Sequence, residues 1–352
     1  MNLQKQLAAQ ISANGPMRIS HFMADCLLHP EYGYYNTQNP FGASGDFVTA
    51  PEVSQMFGEL IGLSLAQAWI DQGSPEAFSL LELGPGRGTL MADILRATRG
   101  VKGFHQAAQV TLLEASVKLK ALQGETLKKH TPIWIDTAED IPSIPLFAVA
   151  NEFFDALPIR QFVREGIGWR ERQVGLNDNE LVFGLGPNIP QPALAHRLED
   201  TKDGDLIEDC AAATPIVNTL GLRIQQHGGI ALIIDYGDWR SLGDTIQAIK
   251  YHEHVSPLEK AGQCDITAHV DFEAIAKTAP CAYSRLTPQG VFLERLGITQ
   301  RAQQLANNMT EEALHTHISA HRRLTHPDEM GTLFKVIGLY PEGGSPPAGL
   351  EK

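Results

Sequence analysis

The sequence predicts an α/β protein built on a doubly wound, mostly parallel, Rossmann-like sheet. Three observations support this prediction: short apolar runs alternate with amphipathic segments, a glycine-rich turn follows one run, and acidic or amide residues end several of them. Because strands connected through helices pair in parallel, their carboxyl ends meet at one edge of the sheet. The predicted strands are 80–83, 110–113, 133–135, 146–150 and 230–234.

The first part of the chain, residues 1–78, is predicted to be a helical region that carries a lid. Residues 3–12 and 19–28 have amphipathic spacing, and residues 55–69 form a longer helical pattern. The loop from Asp46 to Glu52 is dense in Gly, Pro and acidic residues. We expect it to close over a ligand site, with Thr49 and Glu52 contacting the ligand; a plain connecting loop is the alternative.

The main domain is predicted to span residues 79–340 and to contain an insertion. From about residue 159 the pattern changes to short alternating segments with turn residues between them, which favours an inserted antiparallel and helical subdomain at 159–228. The run LFKVIGL at 333–339 adds a last strand. Residues 341–352 are rich in Pro, Gly and Glu and are predicted to be a disordered tail.

Composition limits the classes of function. The net charge of −13 argues against nucleic-acid and anionic-membrane binding and is compatible with a basic protein substrate. The four cysteines are scattered, which favours reduced thiols over a disulfide framework or a zinc site. With no apolar run of membrane-spanning length and no signal-like N-terminus, we expect a cytoplasmic protein; a homodimer is left open.

The glycine-rich turn has an unusual spacing. Gly84, Gly86 and Gly88 follow Glu82 in the pattern E-x-G-x-G-x-G, which differs from the dinucleotide fingerprint G-x-G-x-x-G. An acid beside the loop repels a pyrophosphate and suits a ligand with an amino group or ribose hydroxyls. The pattern resembles the first motif of class I S-adenosylmethionine-dependent methyltransferases. The alternative is a glycine-rich turn that binds nothing.

Polar residues at the predicted strand ends support the same ligand. Each of them alone is explained equally well as a helix cap, but several acids on one rim repel each other unless a cationic ligand binds. Glu114, after the second strand, is suited to accept hydrogen bonds from both ribose hydroxyls. We therefore predict an S-adenosyl-L-methionine site formed by Thr49, Glu52, Glu82, Gly84, Gly86, Gly88, Glu114, Asp136 and Asn151.

Longer motifs resemble one family. G-D-F-V-T-A-P-E at 45–52, N-E-F-F-D-A-L-P at 151–158, I-D-Y-G at 234–237 and D-I-T-A-H-V-D-F at 265–272 occur in the order typical of the MidA family, bacterial relatives of a mitochondrial complex I assembly factor. The resemblance covers about residues 32–339. It implies a methyltransferase fold and a protein arginine methyltransferase whose substrate is a complex I subunit.

The candidate catalytic residues lie in the same motifs. Glu152 and Asp155 are three residues apart just beyond a strand end, where two carboxylates can clamp a guanidinium. Capping of the following turn is the alternative explanation. Asp235 and His269 are second candidates, with His269 a proton acceptor or a structural hydrogen-bonding residue.

Two other functions compete with this interpretation. A metal hydrolase would use His252, Glu253 and His254, or the histidines 315, 317, 321 and 326, although neither group has the H-E-x-x-H spacing, and we predict no metal site. A chaperone that binds S-adenosylmethionine without turnover is the non-enzymatic alternative. The sequence leaves open the methyl acceptor, mono- or dimethylation, and the role of residues 187–215.

Overall fold

The computed structural model describes residues 2–38, 48–251, 253–307 and 309–352. Its helices are α1 (Leu3–Asn14), α2 (Ile19–Leu28), α3 (Tyr34–Thr37), α4 (Ala50–Val53), α5 (Gln55–Asp71), α6 (Thr89–Ala97), α7 (Phe104–Ala107), α8 (Val117–Thr126), α9 (Ala213–His227), α10 (Phe272–Thr278), α11 (Gln289–Arg295), α12 (Ile298–Ala306), α13 (Glu311–Thr325) and α14 (Met330–Leu333). None of the helices in these ranges is both long and apolar enough to cross a membrane.

The strands fall into three sheets. They are β1 (Met17–Arg18), β2 (Phe78–Leu83), β3 (Ala108–Leu113), β4 (Ile133–Ile135), β5 (Leu146–Asn151), β6 (Arg160–Glu165), β7 (Gly168–Asn177), β8 (Glu180–Ile189), β9 (Leu206–Asp209), β10 (Gly229–Asp238), β11 (Gln247–Lys250), β12 (Glu253–Val255), β13 (Asp265–Thr267), β14 (Val270–Asp271), β15 (Ala282–Tyr283), β16 (Thr287–Pro288) and β17 (Phe334–Tyr340).

The main sheet has the order β15-β17-β10-β5-β2-β3-β4, with β14 paired to β10 and β16 to β17. Its strands β2, β3, β4, β5 and β10 are parallel, and β17 is antiparallel to β10. One apolar core contains α5 and α6, and a second contains α9 and α10. Strands β2 and β5 are buried along their whole length because both cores cover them. The predicted α/β fold is confirmed.

The strand order places a crevice between β2 and β5. The chain runs outward from β2 to β3 and β4 and then returns to β5 on the other side of β2. Ligands of doubly wound sheets bind at the carboxyl ends of strands where the order reverses in this way. The glycine-rich turn follows β2, and Asn151 and Glu152 end β5, so both lie at this crevice.

The two smaller sheets are antiparallel and share an apolar core with the N-terminal helices. One has the order β1-β7-β6-β9 with β8 paired to β7, and the other has the order β12-β11-β13. Leu7 of α1 and Phe22 of α2 pack in the same cluster as Val174 of β7 and Ile266 of β13. Helices α1 and α2 therefore form a unit with the inserted sheets, whereas α5 packs in the core of the main sheet.

Two segments differ from the predictions. The sequence predicts an insertion that reaches residue 228, but α9 packs on β5, β10 and β17 and so belongs to the main domain. The tail 341–352 is not disordered: Leu350 is 8% exposed within the main core, and the Ser64 hydroxyl donates to the carbonyl of Ala348 at 3.1 Å. Asp46, the first residue of the predicted lid, lies outside the described residues, as does His252.

Candidate active site

The glycine-rich turn connects β2 to α6 through left-handed backbone. Gly84, Gly86 and Gly88 have φ values of 60°, 51° and 81°, which favour residues without a Cβ. At Gly84 a Cβ would also come within 2.7 Å of the Phe153 ring. Helix α6 begins at Thr89 directly after Gly88. The turn therefore requires glycine for its backbone conformation, and at Gly84 it packs against the segment that follows β5.

Glu82 is a buried carboxylate without a cation. It is 3% exposed, it accepts a hydrogen bond from the backbone N–H of Met91, and its Oε2 has no hydrogen-bond partner in the described ranges. Burial, together with the nearby charge of Glu114, raises the pKa of Glu82 to about 8. A buried, unpaired acceptor of this kind is suited to a ligand that donates hydrogen bonds or carries positive charge.

Glu114 lies at the end of the neighbouring strand and is tied to the same turn. Its Oε1 accepts from the backbone N–H of Ser116 at 2.8 Å, and its Oε2 accepts from Gln123 Nε2 at 2.9 Å. Gln123 Nε2 also donates to the carbonyl of Gly86 at 2.8 Å. Burial raises the pKa of Glu114. The side chain is therefore held in place beside the glycines before any ligand binds.

A cleft lies between the glycine-rich turn and the segment that begins at residue 48. Its lining includes Thr49, Glu82, Gly84, Gly86 and Asn151. The Oδ1 atom of Asn151 is buried and has no hydrogen-bond partner among the described residues. The structure thus brings together five of the nine residues that the sequence predicted for the cofactor.

Glu52 and Asp136 are placed differently from that group. Glu52 Oε1 accepts a hydrogen bond from the Thr89 hydroxyl at 2.7 Å, and its Oε2 lies 3.5 Å from Arg87 Nη1. Asp136 follows β4, and 77% of its side chain is exposed. Its Oδ1 lies 2.5 Å from Lys120 Nζ, with which it forms an ion pair. Both side chains are therefore engaged with protein groups, and neither is part of the cleft lining.

Glu152 has a strained backbone, and one of its carboxylate oxygens accepts two hydrogen bonds. Its φ of 51° is in the left-handed region, which is costly for a residue with a side chain. Its Oε1 accepts from the Ala50 backbone N–H at 3.0 Å and from Asn151 Nδ2 at 2.9 Å. Burial raises its pKa to about 7, with Asp155 contributing in the same direction and the Ala50 N–H opposing it.

Asp155 presents a free oxygen in a buried setting. It is 6% exposed, and its Oδ1 lacks a hydrogen-bond partner in the part of the chain that the structure describes. Burial raises its pKa to about 6, against the opposing effect of a hydrogen bond from the Tyr236 hydroxyl. Within the described ranges, neither Glu152 nor Asp155 forms an ion pair with lysine or arginine, so no basic side chain pairs directly with these two acids.

Asp235 holds the acidic segment in place. It is completely buried, and its Oδ2 accepts from the backbone N–H groups of Phe154 at 3.0 Å and Asp155 at 3.2 Å. Its Oδ1 accepts from the Tyr236 N–H at 2.9 Å. Burial, with the charges of Asp155 and Glu152, raises its pKa well above the usual range. These contacts are those of a structural anchor for the 151–158 segment.

His269 packs close to this group. Its ring lies edge-on to Tyr236 with the ring centroids 5.3 Å apart, and burial lowers its pKa. Two histidines of the C-terminal group have local partners: His317 Nε2 lies 3.0 Å from the carbonyl of Ala302, and His321 Nε2 lies 3.1 Å from the Thr299 hydroxyl. Within the described residues, no group of three or more potential ligands could hold a metal ion.

Sequence reasoning missed three groups that donate hydrogen bonds to the acids of the site. They are the Thr89 hydroxyl, the Ala50 N–H and the Tyr236 hydroxyl. Each acts across a contact between residues far apart in the chain, such as the 102 positions between Ala50 and Glu152. Ala50 and Tyr236 stand within the quoted motifs, and Thr89 directly follows the glycine-rich pattern, so their position was the available signal. Nothing in the local pattern indicated which atoms they bind.

The residues at the cleft fit S-adenosylmethionine. The unpaired oxygens of Glu82 and Asn151 and the fixed carboxylate of Glu114 provide acceptors for an amino group and ribose hydroxyls, and Gly84 and Gly86 line the cleft beside them. No comparable cluster of arginine and lysine side chains lines this cleft to hold a pyrophosphate: Arg87 is its one basic lining residue among those described.

Comparisons with known proteins agree with this site. A family described as S-adenosyl-L-methionine-dependent methyltransferases matches residues 60–291. Protein arginine methyltransferase NDUFAF7, mitochondrial, of Danio rerio is 36% identical and covers 96% of this chain and 86% of its own; the Homo sapiens protein of that name is 32% identical, with 96% and 83% covered. A crystal structure from Burkholderia thailandensis with bound S-adenosyl-homocysteine has a TM-score of 0.85 and 29% identity, covering 99% of this chain and 94% of its own. The chain therefore belongs to this family of S-adenosyl-L-methionine-dependent methyltransferases, as its resemblance to the MidA family indicated.

Proposed function

We propose that this protein transfers a methyl group to an arginine side chain of a protein. The observation that carries the proposal is the acidic pair formed by half-buried Glu152 and buried Asp155 beside the cofactor cleft, neither of which forms an ion pair with a basic side chain in the described ranges. A guanidinium is planar and offers paired donors that match two carboxylates. The names of the relatives, which call them protein arginine methyltransferases, support the same acceptor.

The site provides each part of such a reaction. S-adenosylmethionine would supply a methyl group bound to a positively charged sulfur; the S–C bond would break as the guanidinium nitrogen forms the N–C bond, and S-adenosyl-homocysteine would leave. Glu82, Asn151 and Glu114 would hold the donor, and Glu152 and Asp155 would orient the guanidinium for that line of attack. The new N–C bond leaves an extra proton on the guanidinium nitrogen. With a pKa raised to about 7, Glu152 is suited to accept this proton.

The roles of the other candidates follow from their contacts. Asp235 acts as a positioning residue, because all its contacts given above are to backbone N–H groups. Thr49 would contact the donor, since it lines the cleft, whereas Asp136 is exposed and would not. A complex I subunit as substrate, which the family resemblance implies, and a cytoplasmic location are further proposals; a homodimer stays open.

Transfer of labelled methyl groups tests the proposal. The protein is incubated with methyl-labelled S-adenosylmethionine and a cell extract, and the labelled residue is identified by mass spectrometry. Methylarginine in a protein is the expected product. Label on a lysine, a nucleic acid or a small molecule would refute the arginine acceptor and leave the methyltransferase assignment standing. Donor binding with no transfer to any acceptor would instead support the chaperone alternative.

A further inference from the structure

The segment 48–53 touches both halves of the site. At one end, the backbone N–H of Ala50 donates to Glu152 Oε1 at 3.0 Å. At the other end, Glu52 accepts the hydroxyl proton of Thr89 at 2.7 Å, and Thr89 directly follows the last glycine of the turn. One short segment therefore connects the glycine-rich turn to Glu152.

The side chain of Glu52 is occupied by these protein contacts. Its Oε1 faces Thr89, its Oε2 faces Arg87, and only 18% of the side chain is exposed. We propose that Thr89 and Glu52 are positioning residues, whose hydrogen bond fastens the segment 48–53 to the glycine-rich turn and so keeps the Ala50 N–H on Glu152. The consequence for methyl transfer rests on the proposed function of Glu152; the contact itself does not.

The Ala50 N–H matters because Glu152 has few groups that stabilise its charge. An N–H donor stabilises the ionised carboxylate, and two neighbouring acids oppose it. The charged and polar groups that face Glu152 come from four elements and its own segment; they are the Ala50 N–H of α4, the Asn151 amide of β5, Asp155, Asp235 of β10 and Arg323 of α13. Arg323 also donates to the carbonyl of Val48 at 3.4 Å, so it holds the same segment.

Loosening the segment should therefore change the ionisation of Glu152. If the Ala50 N–H moves away, the pKa of Glu152 rises further above its ordinary value, and less of the carboxylate is ionised at neutral pH. A bound guanidinium needs the ionised form. A purely structural role for Thr89 would lower activity at every pH and would leave the position of the acidic limb unchanged.

The test uses Thr89→Val, which removes the hydroxyl and keeps the shape of the side chain. The pKa of Glu152 is read from the carboxyl carbon signal of protein labelled with 13C-glutamate, and Glu152→Gln identifies that signal. We expect Thr89→Val and Glu52→Ala each to raise this pKa by about half a pH unit or more. Because both changes break the same hydrogen bond, the pKa shift in the double variant should not exceed the larger of the two single shifts. The acidic limb of kcat/KM should move by the same amount.

Thr98→Val is the matched control. It removes a buried hydroxyl beyond the other end of α6, where Thr98 donates to the carbonyl of Ile94 at 2.8 Å, and it should leave the pKa of Glu152 unchanged. An unchanged pKa in Thr89→Val, or fully additive shifts in the double variant, would overturn the proposal. Because the titration needs no methyl acceptor, a shift without arginine methylation would uphold this coupling while removing the proposed function.

Discussion

Binding of S-adenosyl-homocysteine should release a proton from Glu82. The carboxyl group is buried, its Oε2 is unpaired among the described residues, and its pKa is raised to about 8. The positively charged amino group of a ligand at this position favours the ionised carboxylate. At pH 7 a group with a pKa of 8 is about 90% protonated, so binding should release about 0.9 protons.

The number of protons is measured by calorimetry in buffers of different ionisation enthalpy. The expected release falls to about 0.5 protons at pH 8 and to about 0.1 at pH 9. Because a proton is released, the affinity should rise with pH up to about 8 and then level off. Glu82→Gln keeps the shape of the side chain and should remove most of the release.

The outcome also separates Glu82 from its neighbour. Burial raises the pKa of Glu114 as well, so Glu114→Gln is the matched variant that reports any proton from that residue. A heat of binding independent of buffer in the wild-type protein would refute the reasoning. An equal release in the wild type and in Glu82→Gln would show that the proton comes from another group.

Three further predictions follow from the same contacts. Gly86→Val should abolish S-adenosyl-homocysteine binding in calorimetry while the circular dichroism spectrum stays that of a folded protein, because Gly86 lines the cleft at φ 51°, which a β-branched residue adopts only with strain that moves the turn. Glu114→Ala should lower the free energy of unfolding in urea by about 1–3 kcal/mol in addition to weakening the ligand, since Ser116 and Gln123 lose their acceptor; an effect on binding alone would contradict this. Asp235→Ala should lower the free energy of unfolding by about 3 kcal/mol or more, because three backbone N–H groups lose their acceptor. Asp235→Asn should lower this free energy less.

The sequence predicted the parts of the site that depend on local pattern. A buried strand followed by closely spaced glycines places Glu82 and the turn at the sheet edge, and parallel pairing of β2 with β3 brings Glu114 beside them. Strand ends specify an edge, but they do not specify where a side chain points. Asp136 follows β4 as predicted and still faces solvent and Lys120 instead of the cleft.

Contacts between distant segments were beyond such reasoning. The composition of residues 341–352 indicated disorder, but the main core buries Leu350, whose Cδ1 lies close to Gly338 of β17. Asp235 had the pattern of a catalytic acid at a strand end, and its three backbone donors become visible only when β10 lies beside the 151–158 segment. In both cases tertiary packing, not local pattern, decides the outcome.

The most direct test of the acceptor site is a paired measurement on Glu152→Gln. This change keeps an oxygen that can accept from the Ala50 N–H, and it removes the charge that would bind a guanidinium. The single-turnover rate of arginine methylation and the affinity for S-adenosyl-homocysteine are measured on the same preparation. The account predicts a rate reduced about 100-fold or more, with an affinity within about threefold of the wild type. An unchanged rate would contradict the role of Glu152 as part of the guanidinium clamp.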